Sequence, residues 1–237
     1  MVTTVTSQSA ADTVLIVQPY GSIANSAAAA KCKTYSGVLD GKTVWASRKT
    51  NDDIEKVEDK DKVKFISEAV IASRVVDGEV LDASAAGNMG ELQVALPAGE
   101  TVTIATAIEG VGGSTDVTAP DGAEGEAYQM AVETLRNIDS PSDVEQLHQA
   151  HLQWWREYYQ LSWVDFHDAD LNRVYYGQPY IFGSTVREGA AAPGLYGVWR
   201  TQDTPGWQGD YHLNYNFQAT WYGACAGNRI KGFFEPF

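Results

Sequence analysis

The spacing of apolar residues changes near residue 121, and this change limits the folds open to the chain. Up to that point short β-branched and aromatic runs are separated by Gly, Asp and Asn, as is typical of strands joined by turns. From about Glu126 apolar residues recur at intervals of three and four, which indicates amphipathic helices. Residues 110–125, rich in Gly, Ser, Asp and Pro, are the best candidate for a linker. The sequence therefore predicts a mixed α and β chain, with an antiparallel β-sandwich in residues 1–121 and helices in residues 122–237.

Six short runs predict strands in the N-terminal part, and the chain also opens on a strand-like run. The last of the six has the clearest alternation, with Val102, Ile104 and Thr106 on one side and Thr103 and Ala105 on the other. The six runs are residues 14–17, 42–45, 63–66, 78–81, 92–96 and 100–108.

Local signals predict where the helices begin. A short helix is expected over residues 126–137. Ser140 then caps a second helix, because its side chain can accept from unpaired N–H groups, with Pro141 in the first turn and Asp143 complementing the helix dipole.

Apolar faces are predicted for the second and third helices, and that of the second is unusually broad. The face of the second helix is aromatic, and core packing explains it better than ligand contact. A third helix is expected over residues 168–182, although Pro179 complicates its second half. The residues expected to face inward on it are Leu171, Val174, Tyr175 and Ile181.

Residues 187–222 combine a loop rich in Gly, Pro and Ala with a dense polar and aromatic segment. The loop is expected to hold Tyr196, Trp199 and Trp207, and the polar segment, residues 210–216, precedes a return to helical spacing at about Leu213. Amides beside aromatic faces are a common way to hold sugars, since flat rings stack on the sugar and amides bond its hydroxyls. The alternative is a core loop whose amides cap a helix.

Two segments of this stretch resemble the signature of glycoside hydrolase family 95. Residues 193–199 read PGLYGVW, and after Trp207 residues 210–216 read DYHLNYN; the family carries P-x-L-x-G-x-W, a Trp, and D-Y-H-x-N-x-N opening a helix. Residues 180–187 resemble the family segment that ends in Ser-Ser-Arg just before this loop.

Some positions depart from the family pattern and suggest a divergent subgroup. The family usually has Gln at the position of Tyr196, Ile at Tyr215, and Met-Asn-Tyr-Trp at residues 219–222. The sugar that is released therefore stays open.

The resemblance implies a fold as well as an activity. Family 95 enzymes, typified by α-L-fucosidases, join an N-terminal β-sandwich to a six-hairpin (α/α)6 barrel and hydrolyse glycosidic bonds with inversion. A barrel of that kind needs about a dozen helices, and the sequence predicts four. The expectation is therefore a fragment, inactive alone, of a secreted or periplasmic parent enzyme, with a partial sandwich and a truncated barrel. Its helical half is expected to have a large exposed apolar face or to be incompletely packed.

The resemblance also implies roles for particular residues. Asn214 and Asn216 match the two Asn of the N-x-N motif and would orient and help activate the attacking water. An amide is a poor base alone, so this role needs a carboxylate that draws its N–H. The resemblance places the general acid Glu and that carboxylate in barrel segments beyond Phe237.

The remaining candidate residues have two interpretations each. His212 and Asp210 are expected to bind sugar or to position the Asn pair, and Asp210 also suits a helix-entry cap. Trp199 and Trp207 suit sugar stacking or core packing. Arg187 suits substrate binding or, preferably, a salt bridge that pins the following loop. The residues expected to bind substrate are Arg187, Trp199, Trp207, Asp210 and His212.

Composition excludes several other classes of function. The net charge of −14 disfavours nucleic acid or an anionic membrane as a partner. No apolar run is long enough to span a bilayer, and the start of the chain lacks the pattern of a signal peptide. Cys32, Cys225 and the four His lack metal-ligand spacing, so neither metal nor cofactor is expected. The main alternative to the hydrolase is a non-catalytic carbohydrate-binding or scaffold protein that uses the aromatic loop of residues 194–222.

Overall fold

The computed structural model describes residues 1–21, 32–50, 66–114, 120–198, 207 and 211–231. The chain forms two compact units, residues 1–147 and residues 148–237. Each unit is described separately below. The domain boundary expected at residue 121 stays a prediction, and the helix that follows it packs within the first unit.

Two antiparallel sheets build the first unit. The larger sheet has the strand order β1-β8-β5-β4-β3 and the smaller one the order β2-β7-β6. The strands are β1 (Val2–Thr6), β2 (Thr13–Val17), β3 (Lys33–Asp40), β4 (Thr43–Lys49), β5 (Ile66–Asp77), β6 (Val80–Ala86), β7 (Met89–Leu96) and β8 (Thr101–Ser114).

The larger sheet is buried on both faces. Val102 and Ile104 of β8 pack with Leu92 of the smaller sheet, and this apolar layer joins the two sheets. Ala105, on the opposite side of β8, packs in a second layer with helix α1 (Glu126–Arg136). Burial of apolar surface on both faces is the main source of stability for such a layered unit. The predicted sidedness of residues 102–105 is therefore confirmed, as are the mixed fold class and the antiparallel sheets.

Some of the predicted strands are confirmed, and others are missing or only partly correct. The runs at 14–17, 42–45, 92–96 and 100–108 fall within or beside strands, and the run at 78–81 overlaps β6 by two residues. Strand β3 was not predicted, nor was β5 beyond its first residue, and residues 63–65 lie outside the described part of the chain. The predicted linker is wrong at its beginning, because residues 110–114 extend β8 and pair with β5.

The predicted start of the second helix is confirmed. Helix α2 spans Pro141–Gln160. Before it, the Ser140 backbone N–H donates to the Asp143 carboxylate at 2.9 Å, and the Asp143 N–H donates to the Ser140 hydroxyl at 3.3 Å. This reciprocal pair is a capping box, which satisfies two otherwise unpaired donors.

A charged cluster ties the start of α2 to the larger sheet. The Asp139 carboxylate accepts from Arg74 at 2.7 Å and from Lys42 at 2.6 Å. Arg74 also pairs with Asp40 at 2.9 Å. The hydrogen bonds from Lys42 and Arg74 lower the pKa of Asp139 to about 2.

The second unit contains the rest of α2 and three further helices in its described residues. These are α3 (Ala169–Thr185), α4 (Tyr215–Ala219) and α5 (Tyr222–Ala226). Asp168 caps α3 by accepting from the N–H groups of Asp170 and Leu171. The helix predicted from about Leu213 is thus two one-turn helices, so that prediction is only partly correct.

The inward face predicted for α3 is wrong at three positions. Leu171, Val174 and Ile181 are 54%, 60% and 47% exposed. The expected exposed apolar face of the helical half is therefore confirmed for the described residues. The (α/α)6 barrel stays a prediction. Within the described residues, no helix is both long enough and apolar enough to cross a membrane.

Candidate functional site

Tyr158 is the one buried residue of helix α2. Its side chain is 3% exposed, and its hydroxyl donates to the Pro179 carbonyl at 2.7 Å. Trp154, one turn earlier, stacks on its ring with centroids 5.1 Å apart. Gly183 lets α3 approach this ring, since a Cβ there would lie 2.8 Å from Tyr158 Cζ. Burial raises the pKa of the Tyr158 hydroxyl, which keeps it a neutral donor.

Arg187 fastens the end of α3 to this aromatic pair. Its guanidinium carbon lies 4.0 Å from the centre of the Trp154 ring. The same group donates to the carbonyls of Val186, at 2.8 Å, and of Gly183. Burial lowers the pKa of Arg187. These contacts hold the chain leaving α3 through carbonyls and a cation–π contact, whereas a salt bridge was expected; a substrate-binding role stays a prediction.

The N-x-N segment enters α4 through a side-chain cap. The Asn214 side-chain oxygen accepts from the Tyr215 backbone N–H at 2.7 Å. Just before it, His212 has φ 38°, and Trp207 has φ 49°. Residues with side chains rarely adopt this left-handed region, and such positions are often found at functional sites.

A cleft of about 330 Å³ lies in front of this segment. Trp207 and His212 meet there edge to face, with ring centroids 6.3 Å apart. Trp207 is 69% exposed, so most of its ring is available to a ligand. The residues that line the cleft are Leu195, Tyr196, Trp207, His212 and Asn216.

The structure brings together three of the predicted site residues and separates others. Asn216 lines the cleft with Trp207 and His212, whereas Asn214 is exposed and is not among the lining residues. Successive residues of a helix are turned by about 100°, so two positions near its start that are two residues apart point in different directions. Trp199 and Asp210 lie outside the described residues.

A second concave site was missed by the sequence reasoning. A groove of about 520 Å³ lies between α3 and the short helices α4 and α5, with Arg229 among its lining residues. The small residues Gly223, Ala224, Ala226 and Gly227 also line it. In the sequence, the clustering of these small residues just before Arg229 was the signal that could have indicated this groove. The cluster matches no catalytic motif.

Metal ligation is not indicated in the described ranges. No group of three or more His, Cys, Asp or Glu there lies close enough together to hold an ion. Among the described cleft residues, His212 is the one titratable metal-ligand type, and one imidazole does not form a metal site.

Comparison with known proteins agrees with the motif. Residues 143–237 match the family profile described as "Glycosyl hydrolase family 95 catalytic domain". A stretch of 43 residues is 46% identical to "Probable alpha-fucosidase A" of Aspergillus niger, which is 18% of this chain and 5% of that protein. The comparison thus covers far less than two thirds of the fungal protein. The matched segment contains the whole described lining of the cleft. Residues 143–237 are thus similar to the catalytic domain of glycosyl hydrolase family 95.

Proposed function

We propose that this chain supplies the sugar-facing part of an inverting glycoside hydrolase that acts on α-L-fucosides in oligo- or polysaccharides. The observation that supports the proposal is the cleft itself, where Trp207, His212 and Asn216 meet inside the family 95 segment. The proposed architecture is the six-hairpin barrel of that family, preceded by the β-sandwich.

The cleft residues have complementary chemistry for a sugar. The exposed ring of Trp207 offers a flat apolar face to the C–H groups of a pyranose, and Tyr196 contributes a second ring to the lining. The Asn216 amide can both donate and accept, and so can a neutral imidazole at His212. A few polar groups in an aromatic cleft are what orients a small ligand.

We assign Asn216, with Asn214, to the orientation of the attacking water. In an inverting enzyme one carboxyl group protonates the leaving oxygen and another activates water, at a separation of about 6.5–9.5 Å. The described lining of the cleft contains no Asp or Glu. The two carboxylates are therefore proposed to come from residues outside that described lining, with an amide between the base and the water.

The same observation supports a second candidate function. A cleft whose described lining lacks a carboxylate can hold a sugar without cleaving it. The second candidate is therefore a non-catalytic carbohydrate-binding protein that uses the same aromatic and amide groups.

Binding and turnover of a fucosyl-oligosaccharide separate the two candidates. The protein, in the length that its gene encodes, is titrated with 2′-fucosyllactose by calorimetry, and released fucose is followed by NMR, which identifies the anomer. We expect binding, and release of fucose initially as the inverted anomer. Binding without any release favours the second candidate, and the absence of binding contradicts both.

Two variants with matched controls locate the activity in the cleft. Trp207→Ala should weaken binding about tenfold, the equivalent of about 1.4 kcal/mol of ring contact. Trp163→Ala, an equally exposed tryptophan elsewhere (77% against 69%), should not. Asn216→Ala should lower kcat about 100-fold with little change in KM, whereas Gln218→Ala in the same helix should change neither. Unchanged turnover in Asn216→Ala would rule out the water-orienting role.

A further inference from the structure

The groove between α3 and the short helices contains a buried cation. Arg229 is 4% exposed and lines the groove. Its Nη1 donates to the Ser162 hydroxyl at 2.7 Å and to the Gly227 carbonyl at 2.6 Å, and its Nη2 donates to the Tyr158 carbonyl at 3.2 Å. Its guanidinium carbon lies 4.5 Å from the centre of the Tyr158 ring.

This guanidinium lacks an anionic partner among the described residues. All three of its hydrogen-bond acceptors are neutral oxygens, and its Nε–H has no acceptor in the described part of the chain. An arginine side chain keeps its charge in proteins, and removing that charge from water without a counter-charge costs several kcal/mol. An anion at the groove would offset that cost and could accept from the second N–H of Nη2, which forms none of these three hydrogen bonds.

The rest of the lining favours an apolar body for the ligand. Tyr175, Ile181 and Phe182 contribute large apolar side chains, and Ala224 and Gly223 leave room on the opposite side. The volume of about 520 Å³ is in the range of small-molecule sites. The residues of this groove are not shared with the Trp207 cleft.

We propose that this groove binds a small organic acid, with its carboxylate on Arg229 and its apolar body against α3. Nε is covered from solvent, so the carboxylate would accept from the second N–H of Nη2, and such a charge-assisted bond is stronger than a bond between neutral groups. The site is separate from the sugar cleft, so the proposal does not depend on the proposed hydrolase activity.

The test compares an acid with its neutral isostere. Phenylacetate and phenylacetamide have nearly the same shape, and each is titrated into the full chain by calorimetry and NMR. Because the charged bond contributes about 1.5–3 kcal/mol, the acid should bind at least about tenfold more tightly than the amide. Equal binding of the two, or no binding of phenylacetate, would overturn the proposal.

Gly223→Leu tests the location without touching the arginine. A Cβ at Gly223 meets no atom within 4 Å, so the leucine side chain has open space and would fill the groove. We expect the fold to be retained and phenylacetate binding to be lost. Arg229→Gln would also remove hydrogen bonds to Tyr158 and Gly227, so a loss of binding in that variant would not by itself locate the site. Binding that survives in Gly223→Leu would show that the acid binds elsewhere.

Two further probes exclude other occupants. Glucuronate carries the same carboxylate on a polar sugar, and tighter binding of glucuronate than of phenylacetate would contradict the apolar body. Sedimentation velocity of the unliganded chain tests a second copy as the occupant. Self-association that Gly223→Leu abolishes, with no binding of phenylacetate, would replace the acid by a protein partner and refute the proposal.

Discussion

A methyl group added at Gly183 tests the closest contact in the second unit. Its Cβ would lie 2.8 Å from Tyr158 Cζ and 3.1 Å from the hydroxyl oxygen. The ring cannot easily move, because it is buried, stacked on Trp154 and bonded to the Pro179 carbonyl. Gly183→Ala should therefore force a shift of the two helices or of the ring.

The size of the effect follows from two opposing contributions. Overfilling a packed site costs about 1–3 kcal/mol, whereas Ala in place of Gly inside a helix gains about 1 kcal/mol. We therefore expect Gly183→Ala to lose about 1 kcal/mol of unfolding free energy. Gly177→Ala is the matched control, since it lies in the same helix and its Cβ would meet no atom within 4 Å. That variant should gain about 1 kcal/mol.

Urea unfolding followed by tryptophan fluorescence measures this difference in stability for the second structural unit, residues 148–237. Six of the seven tryptophans, all but Trp45, lie in residues 148–237. With a slope of about 1–3 kcal/mol per molar urea, the midpoints of the two variants should differ by about 1 M. If both glycine variants raise the midpoint equally, the close packing of α3 on Tyr158 is refuted.

Two further predictions concern charged groups. The pKa of Asp139 in the folded chain is about 2, below its ordinary value, so its contribution to stability is present above about pH 4 and lost as the pH falls toward 2. The urea midpoint of the wild type should exceed that of Asp139→Asn, and this difference should shrink across that interval. A difference that is independent of pH would contradict the ion pairs assigned to Asp139. Arg187→Ala should lower the urea midpoint of the second unit through loss of the contact with Trp154, by about 0.5–2 kcal/mol of stability. Arg173→Ala removes an exposed arginine that pairs with exposed Asp170, and it should have an effect within about 0.5 kcal/mol. Equal effects of the two variants would count against the stacking role.

Local chemistry accounts for what the sequence predicted well. The start of α2 depends on Ser140 and Asp143, which bond each other's backbone N–H, and nothing distant is needed for that contact. The alternation in β8 survives for the same reason, since the side that a strand residue faces is determined by its position along the strand.

Strand β3 and most of strand β5 were not predicted, because tertiary contacts determine their sequence patterns. β5 is buried on both faces, with Val70 in one apolar layer and Val75 in the other, so its sequence does not alternate. In β3, a glycine interrupts the pattern, and it is there because the Trp45 ring lies against Gly37, where a Cβ would be 2.7 Å from the indole nitrogen. Trp45 is on the neighbouring strand, so the sequence of β3 alone does not reveal that need.

The candidate site also combines residues that local sequence identifies with residues that only tertiary contacts reveal. The motif identified Trp207, His212 and Asn216, which the structure places around one cleft. It gave no information on Arg229, whose burial results from contacts with Tyr158 and Ser162, 71 and 67 residues earlier in the chain. Only the packing of distant segments could show that this arginine is buried.

The two asparagines of the motif have different surroundings, and this difference limits which of their groups can contact a water or a sugar. The side-chain oxygen of Asn214 is already bonded to the Tyr215 N–H, and its amide NH₂ takes no part in this bond. Asn216 lines the cleft, and its whole amide can contact a sugar or a water there. The Asn214 oxygen keeps a second lone pair, but Asn214 is not among the residues that line the cleft. In the proposed mechanism Asn216 is therefore the amide that contacts the water, with Asn214 in a supporting position at the start of the helix.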